Sequence, residues 1–333
     1  MEAIDKAVDI LLKSGCDSVV FSRKEAVKDV EDILMSVLRI KREQLIIQYK
    51  QELPSVYEGI FFSNVNDRKK GKPLAYITRS AVFYAYNFFV NESCLIPRID
   101  SEILVEKAEE YILHTVKRIK AKSKVDGLEC NKHDINIEKA NTIKIIDACC
   151  GSGCLGISLV KSIIDGQKSD NKLDIFIELT LLDVSPSAIK VAQLNAQCLL
   201  SKYVDAVKVK YVVCDILQSG IGNDLYDIIL CNPPYIEADA MLSLDKQVKD
   251  YEPHLALDGG ADGLKFYRAF QQILKLQKQK YLYDKQRLFG QQVAFFEIGY
   301  NQGDSVSKLF SDIGYDVEII KDFGKQNRVV IVK

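Results

Sequence analysis

Between Val27 and Leu38 the apolar residues fall at Val27, Val30, Ile33, Leu34, Val37 and Leu38, with charged residues filling the gaps. Steps of three and four line up one stripe of an α-helix, and residues 1 to about 50 carry this pattern throughout. A small helical domain is expected over residues 1–78. Near its end, Asp67-Arg-Lys-Lys-Gly-Lys72 reads as a solvated basic turn. From Ala81 to Pro97, aromatic and β-branched residues surround Asn87 and Asn91-Glu92. That composition predicts a β-hairpin, so residues 79–97 are expected to link the helical domain to a second one over 98–333. A helical period resumes over Ser101–Val116, and residues 119–141, rich in Lys, Asp, Asn and Glu, read as a surface insertion.

Beyond Thr142 short β-branched runs alternate with helical periods. Strands are predicted at Lys144–Ala148, Glu178–Asp183, Val207–Cys214, Asp227–Cys231, Gln292–Glu297, Asp316–Lys321 and Arg328–Val332. Helices are predicted at Gly153–Ile164, Ser185–Leu200 and Gly263–Gln277. Such alternation indicates an α/β fold with an open, doubly wound, mostly parallel sheet. The last two strands are separated only by Asp322–Asn327, too short for a crossover helix, so they must be antiparallel.

Composition narrows the setting. A chain of 333 residues has room for two domains, and 47% apolar and 27% charged residues are ordinary for a globular protein. A net charge of −1 supplies no field to gather nucleic acid, so direct nucleic-acid binding is not expected. The nine cysteines show no repeating spacing, and Cys214 and Cys231 lie in apolar strand-like runs. Reduced thiols in the cytoplasm are expected rather than a disulfide framework. No secretory leader pattern or bilayer-length apolar run is evident, so no membrane partner is expected.

The densest chemical signal is Asn232-Pro233-Pro234-Tyr235, directly after Tyr226-Asp-Ile-Ile-Leu-Cys231. Two prolines end the strand and hold the residues before them extended. Open α/β sheets bind ligands at this end of their strands. The Asn232 side chain and the Pro233 carbonyl offer two acceptors, and Tyr235 offers a ring, which together suit a planar group bearing NH2.

Upstream, Ile145-Ile-Asp-Ala-Cys-Cys-Gly-Ser-Gly-Cys154 runs from strand through a small-residue turn into a helix. Small residues let a ligand lie against backbone N–H groups. Asp147 precedes the turn, which comprises Cys149, Cys150, Gly151, Ser152 and Gly153. Asp183 ends the next strand, where an acid can accept ribose hydroxyls. Asp215 ends the following one, with Ile216 placed to pack on an adenine. These acids at successive strand ends favour an adenosine-containing ligand. The cysteines lack zinc-site spacing and the three histidines are scattered, so no metal is expected. His254, beside Glu252-Pro253, reads as a loop packing residue.

In this order, the acids and Asn-Pro-Pro-Tyr resemble a Rossmann-like class I S-adenosylmethionine-dependent methyltransferase that modifies amino groups. Gly71-Lys-Pro-Leu-Ala-Tyr-Ile-Thr78, Leu95-Ile-Pro-Arg-Ile-Asp-Ser-Glu102, Tyr251-Glu-Pro-His-Leu-Ala-Leu-Asp-Gly-Gly260, Phe296-Glu-Ile-Gly-Tyr-Asn-Gln-Gly303 and Asp322-Phe-Gly-Lys-Gln-Asn-Arg-Val329 resemble the HemK/PrmC family. The resemblance covers residues 25 to 333. It implies N5-methylation of the glutamine in the Gly-Gly-Gln motif of peptide chain release factors, with S-adenosyl-L-methionine as donor; the chain itself is expected to be a monomer. It places the methionine part of the donor on Cys149–Gly153, its ribose on Asp183, its adenine near Ile216, and the substrate amide on Asn232 to Tyr235. The chain departs from the family at Cys149-Cys150, where Gly-Thr is usual and a side chain at 149 is expected to crowd the donor or demand a negative φ. It departs also at Ile99, where proline is usual, at Arg79, where glycine is usual, and in long lysine-rich insertions near 119–141 and 275–287. The alternative is an enzyme methylating an amino group of adenine or guanine in RNA or DNA, with the flipped base stacked on Tyr235.

Overall fold

The computed structural model describes residues 2–13, 21–49, 51–125, 142–166, 175–283 and 288–333. The amino-terminal segment folds as α1 (Glu2–Leu12), α2 (Arg23–Leu38), α3 (Arg42–Gln48), α4 (Ser55–Lys69) and α5 (Leu74–Thr78). Ser22 starts α2 through a capping box: its N–H donates to Glu25 Oε2 at 2.9 Å, and the Glu25 N–H donates to Ser22 Oγ at 3.3 Å. The stripe on α2 buries Val30, Ile33 and Leu34 against Leu11, Phe61 and Val65, a core separate from that of the sheet.

The basic run differs from expectation. Helix α4 continues to Lys69, and Arg68 shares a face with the buried Phe61 and Val65. Only 8% exposed, Arg68 donates from Nε to Asp29 Oδ2 at 2.7 Å and from Nη1 to the Lys72 carbonyl at 3.1 Å and Gln247 Oε1 at 2.8 Å. Charge counting misses this because the helical period, not the composition, decides which lysine or arginine turns inward. Arg68→Ala leaves the Asp29 carboxylate buried without its partner and is expected to lower stability by about 3–5 kcal/mol, read from denaturant unfolding.

Strands β1 (Ala81–Phe83) and β2 (Tyr86–Phe88) form an antiparallel hairpin. Its turn places Tyr84 at φ 50° and Ala85 at φ 61°, the twist of a two-residue hairpin without the usual Asn or Gly. Glu102 Oε1 accepts from the Tyr84 N–H at 2.7 Å, and Phe83 and Phe88 enter the main core, so tertiary contacts hold the turn. Helix α6 (Glu102–Val125) extends into the segment expected as an insertion: residues 119–125 are helical, and 126–141 lie outside the described residues. Lysine and alanine at a helix end have the composition of a loop but good helix propensity.

The main sheet comprises β3 (Thr142–Ala148), β4 (Phe176–Asp183), β5 (Val207–Val213), β6 (Ile228–Cys231), β7 (Val293–Glu297), β8 (Val317–Lys321) and β9 (Asn327–Val332), in the order β5-β4-β3-β6-β7-β9-β8. Strands β3 to β7 are parallel, and β9 runs antiparallel to both β7 and β8. All the predicted strands are present, with ends shifted by one or two residues. Alternate residues feed opposite faces. Ile143, Ile145, Ile228, Leu230 and Phe295 pack toward α6, α7 (Cys154–Gly166) and α8 (Pro186–Leu200). Ile146, Ile229, Cys231 and Phe296 pack toward α11 (Lys265–Tyr283) and α12 (Gly303–Ser311), beyond the short helices α9 (Ile216–Ser219) and α10 (Lys246–Tyr251). The expected insertion at 275–287 is in its first part the end of α11, and 284–287 lie outside the described residues. Among the described residues no helix is long and apolar enough to cross a membrane.

Candidate active site

The chain winds outward from β3 through β4 to β5 and then returns to β6 on the other side of β3. The order of strands therefore reverses between β3 and β6, and a crevice must open above their carboxyl ends. A cavity of about 280 Å³ lies there. Its floor is built from Cys149, Cys150, Gly151 and Ser152 after β3, Asp183 after β4, Asp215 and Ile216 after β5, and Asn232 and Pro234 after β6. Leu95, Pro97, Arg98 and Ser101 wall one side, and Pro253, Leu255 and Asp258 another. Asp147, Gly153, Pro233 and Tyr235 are not among the residues that line the cavity.

The small-residue turn is a left-handed one. Cys149 has φ 59°, Gly151 53° and Gly153 77°. Cys149 thus adopts the positive φ that its side chain was expected to resist, a strained conformation for a residue with Cβ. Surrounding bonds hold it: the Cys150 N–H donates to the Leu182 carbonyl at 2.9 Å, and the Gly151 N–H to Asp183 Oδ2 at 2.9 Å. Asp183 Oδ1 accepts from the Ser185 N–H at 2.9 Å, so this one carboxylate ties the turn after β3 to the start of α8. Burial raises its pKa and these N–H groups oppose the rise. Its oxygens retain lone pairs for a ligand hydroxyl.

Asp147 is fully buried, with Oδ2 accepting from the Gly156 N–H at 2.8 Å and Oδ1 without a partner. It lies on the same face of β3 as Ile143 and Ile145, under α7 rather than in the cavity. A Cβ at position 156 would come within 2.9 Å of Asp147 Cβ and Leu179 Cδ1, so glycine lets the carboxylate reach the helix backbone. Burial pushes the Asp147 pKa up to about 8. Between its ordinary value of about 4 and about 8, the folded chain holds a proton that the unfolded chain releases, so stability falls as pH rises through that window. Asp147→Asn is expected to flatten part of the slope in urea titrations at pH of about 5 and about 8; Asp183, Glu252 and Glu297, also shifted upward by burial, act in the same direction.

Asp215 both lines the cavity and caps α9, accepting from the Leu217 N–H at 2.9 Å. Asn232 donates from Nδ2 to Ser101 Oγ at 3.4 Å. Pro233 is buried behind it. Tyr235 packs on the core beside Tyr267 and Phe296, and its hydroxyl, with pKa raised by burial, donates to Glu297 Oε1 at 3.3 Å. Its carbonyl accepts from Gln302 Nε2 at 3.0 Å. A Cβ on Gly259 would approach Tyr235 Cα to 2.7 Å, so the glycine admits the segment that covers this loop.

Sequence reasoning missed Ser101, Glu297 and Gln302. Each lies within a quoted motif, yet Ser101 and Asn232 are 131 positions apart and nothing in the spacing announces their contact. Glu252, buried, accepts from Arg98 and from the Ile96 N–H at 3.3 Å, joining the two walls of the mouth. His254 is exposed rather than packed, and its carbonyl accepts from the Leu257 and Asp258 N–H groups at 3.0 and 3.1 Å. The described cysteines are unpaired thiols, and among the described residues no cluster suits a metal ion. The donor set fits an adenosine sulfonium: acids for ribose, the apolar Ile216 for the base, and a turn of small residues with backbone N–H groups for an amino acid.

Residues 2–78 match the family described as PrmC N-terminal domain, and residues 135–259 the methyltransferase small domain. With the doubly wound sheet and this cavity, they define a class I S-adenosylmethionine-dependent methyltransferase. The release factor glutamine methyltransferase of Clostridium acetobutylicum is 34% identical over 306 residues, spanning 91% of this chain and 90% of that protein. The one from Fusobacterium nucleatum is 31% identical over 335 residues, spanning 100% of this chain and 78% of its own length. The chain belongs to the family of release factor glutamine methyltransferases. A crystal structure of the release factor-specific protein-(glutamine-N5) methyltransferase from Alicyclobacillus acidocaldarius has 21% identity over 74% of this chain and 98% of that chain, with a TM-score of 0.30.

Proposed function

We propose that this site transfers a methyl group from S-adenosyl-L-methionine to the side-chain amide nitrogen of the glutamine in the Gly-Gly-Gln motif of a peptide chain release factor. The observation that carries the reading is Asn232, placed on the wall of the same cavity that Cys149–Ser152, Asp183 and Asp215 line. In this reading Cys149 to Gly153 receive the methionine part, with Asp147 holding the start of α7 beneath them through the Gly156 N–H. Asp183 receives the ribose, and Asp215 and Ile216 the adenine. Residues 1–78 recognise the protein substrate, the hairpin at 79–97 joins them to the catalytic domain at 98–333, and the enzyme acts as a cytoplasmic monomer.

An amide nitrogen is a poor nucleophile because its lone pair is shared with the carbonyl. Asn232 Oδ1 and the Pro233 carbonyl accept its two hydrogens, which fixes the nitrogen's direction and favours positive charge as it develops. Pro234 and Tyr235 back this loop and exclude water. The bound donor supplies an electrophilic methyl carbon on sulfur. The nitrogen needs no base beforehand, since its proton becomes acidic only as the new bond forms. Incubation with labelled donor and a purified release factor, followed by mass mapping, is expected to place one methyl group on that glutamine. Label on nucleic acid with none on protein would transfer the assignment to the base-modifying alternative.

A further inference from the structure

We infer that Gln302 is a positioning residue for methyl transfer: its side-chain amide fixes the exit of the Asn232–Tyr235 segment and so aims that segment's two acceptors. This rests on the methyl-transfer reading above. Gln302 stands directly before α12 and is 5% exposed. Ser, Thr, Asp and Asn at this position usually close a helix start with their side chains. Gln302 makes no such bond, and its side chain turns to other segments. Oε1 accepts from the Gly299 N–H at 2.9 Å, and Nε2 donates to the Tyr235 carbonyl at 3.0 Å and the Gly263 carbonyl at 3.4 Å. The two ends of an amide look alike, but these neighbours choose between them: a backbone N–H only donates and a carbonyl only accepts. A Cβ on Gly263 would collide with Nε2 and lie 2.5 Å from the Tyr235 oxygen, so this glycine makes room for the contact.

Pro233 and Pro234 have no N–H, so the middle of the segment offers no backbone donor and its ends must hold it. At one end Cys231 pairs with Ala148 and Phe296 in the sheet. At the other, Gln302 takes the Tyr235 carbonyl, and the N–H of the same peptide, that of Ile236, donates to the Leu257 carbonyl at 3.0 Å. The Ile236 carbonyl in turn accepts from the Gly259 N–H at 2.8 Å, which ties the wall at Pro253–Asp258 to this point. Both sides of the Tyr235–Ile236 peptide are thus fixed. The two prolines make a stiff link, so a rotation of that peptide is passed back to the Pro233 carbonyl. The loops after β3, β4 and β5, which receive the donor, take no part in the Gln302 hydrogen bonds.

Gln302→Leu removes the amide at similar bulk. Its kcat on the release factor is expected to fall about tenfold or more, with the calorimetric Kd for S-adenosyl-L-methionine within about twofold of wild type. In Gln302→Glu the protonated carboxyl still accepts from Gly299 and donates to Tyr235, whereas the ionised one sets an acceptor against two carbonyls. Its kcat relative to wild type is expected to fall as pH rises from about 5.5 to about 8.5, where a buried carboxyl titrates, while the Gln302→Leu ratio stays level. The charged groups on the surrounding segments are Glu297 on β7, Arg328 on β9, Asp258, Asp262 and Lys265 beside the mouth, and Asp304 on α12. All three proteins share them, so the ratio to wild type removes their contribution. A merely structural role would lower the urea midpoint and leave kcat per folded enzyme unchanged. That result, a level ratio in Gln302→Glu, or a loss carried by donor affinity would overturn the proposal. If Gln302→Leu fails to unfold cooperatively, the pH ratio of Gln302→Glu decides alone. Wild-type enzyme is assayed first: its failure to label glutamine counts against the methyl-transfer reading, whereas differences among variants of an active enzyme bear on Gln302.

Discussion

Asn232→Ala is expected to lower kcat by about 10²-fold or more, with S-adenosyl-L-methionine binding nearly unchanged. The side chain is half-buried on the cavity wall, and its contact with the protein is a long bond to Ser101 Oγ, so truncation leaves the fold intact. What disappears is the acceptor for one amide hydrogen, and with it half of the fixation that directs the nitrogen. Because the interaction strengthens as the amide nitrogen becomes positive, the loss falls on kcat rather than on KM. Single-turnover measurement with a release factor, beside calorimetry with the donor, separates the two. A folded variant with normal turnover would remove Asn232 from the mechanism.

Asp183→Ala is expected to weaken donor binding by about 10²-fold, or about 2.7 kcal/mol. Three interactions go together. The Gly151 and Ser185 N–H groups lose charge-assisted bonds of 2.9 Å, and the ribose loses its acceptor. The first loss also frees a turn in which Cys149 holds an unfavourable φ of 59°, so the turn is expected to relax toward an ordinary conformation. Asp183→Asn, which keeps one acceptor oxygen, should lie between wild type and alanine. Calorimetry checks the series; donor affinity unchanged in Asp183→Ala would exclude the assignment.

Where the physics is local, residues proved readable. The strands of the sheet were visible because buried parallel strands are short, β-branched and bounded by turn residues, and the antiparallel end because Asp322–Asn327 cannot contain a crossover. Where a result depends on which face a side chain takes, reading failed. Arg68 looked solvated by composition and is buried because it shares the face of Phe61 and Val65. Asp147 looked like part of the cavity and lies beneath α7 because strand parity sends it with Ile143 and Ile145. A strand buried on both sides has no polar alternation to reveal that parity. The lysine-bearing residues 119–125 and 275–283 resembled insertions and continue α6 and α11, since helix ends and loops share a composition.

By itself the chain dictates the alternation of strands and helices, the small-residue turn after β3, and a stiff Asn-Pro-Pro-Tyr segment after β6, since each follows from propensities within a few neighbouring residues. Only the folded structure decides that Asn232 meets Ser101 and Tyr235 meets Glu297, that Asp183 clasps the Gly151 backbone, and that Cys149 tolerates a left-handed φ. These are contacts between distant segments, set by strand order and by the direction of each side chain, and neither quantity is carried by local sequence.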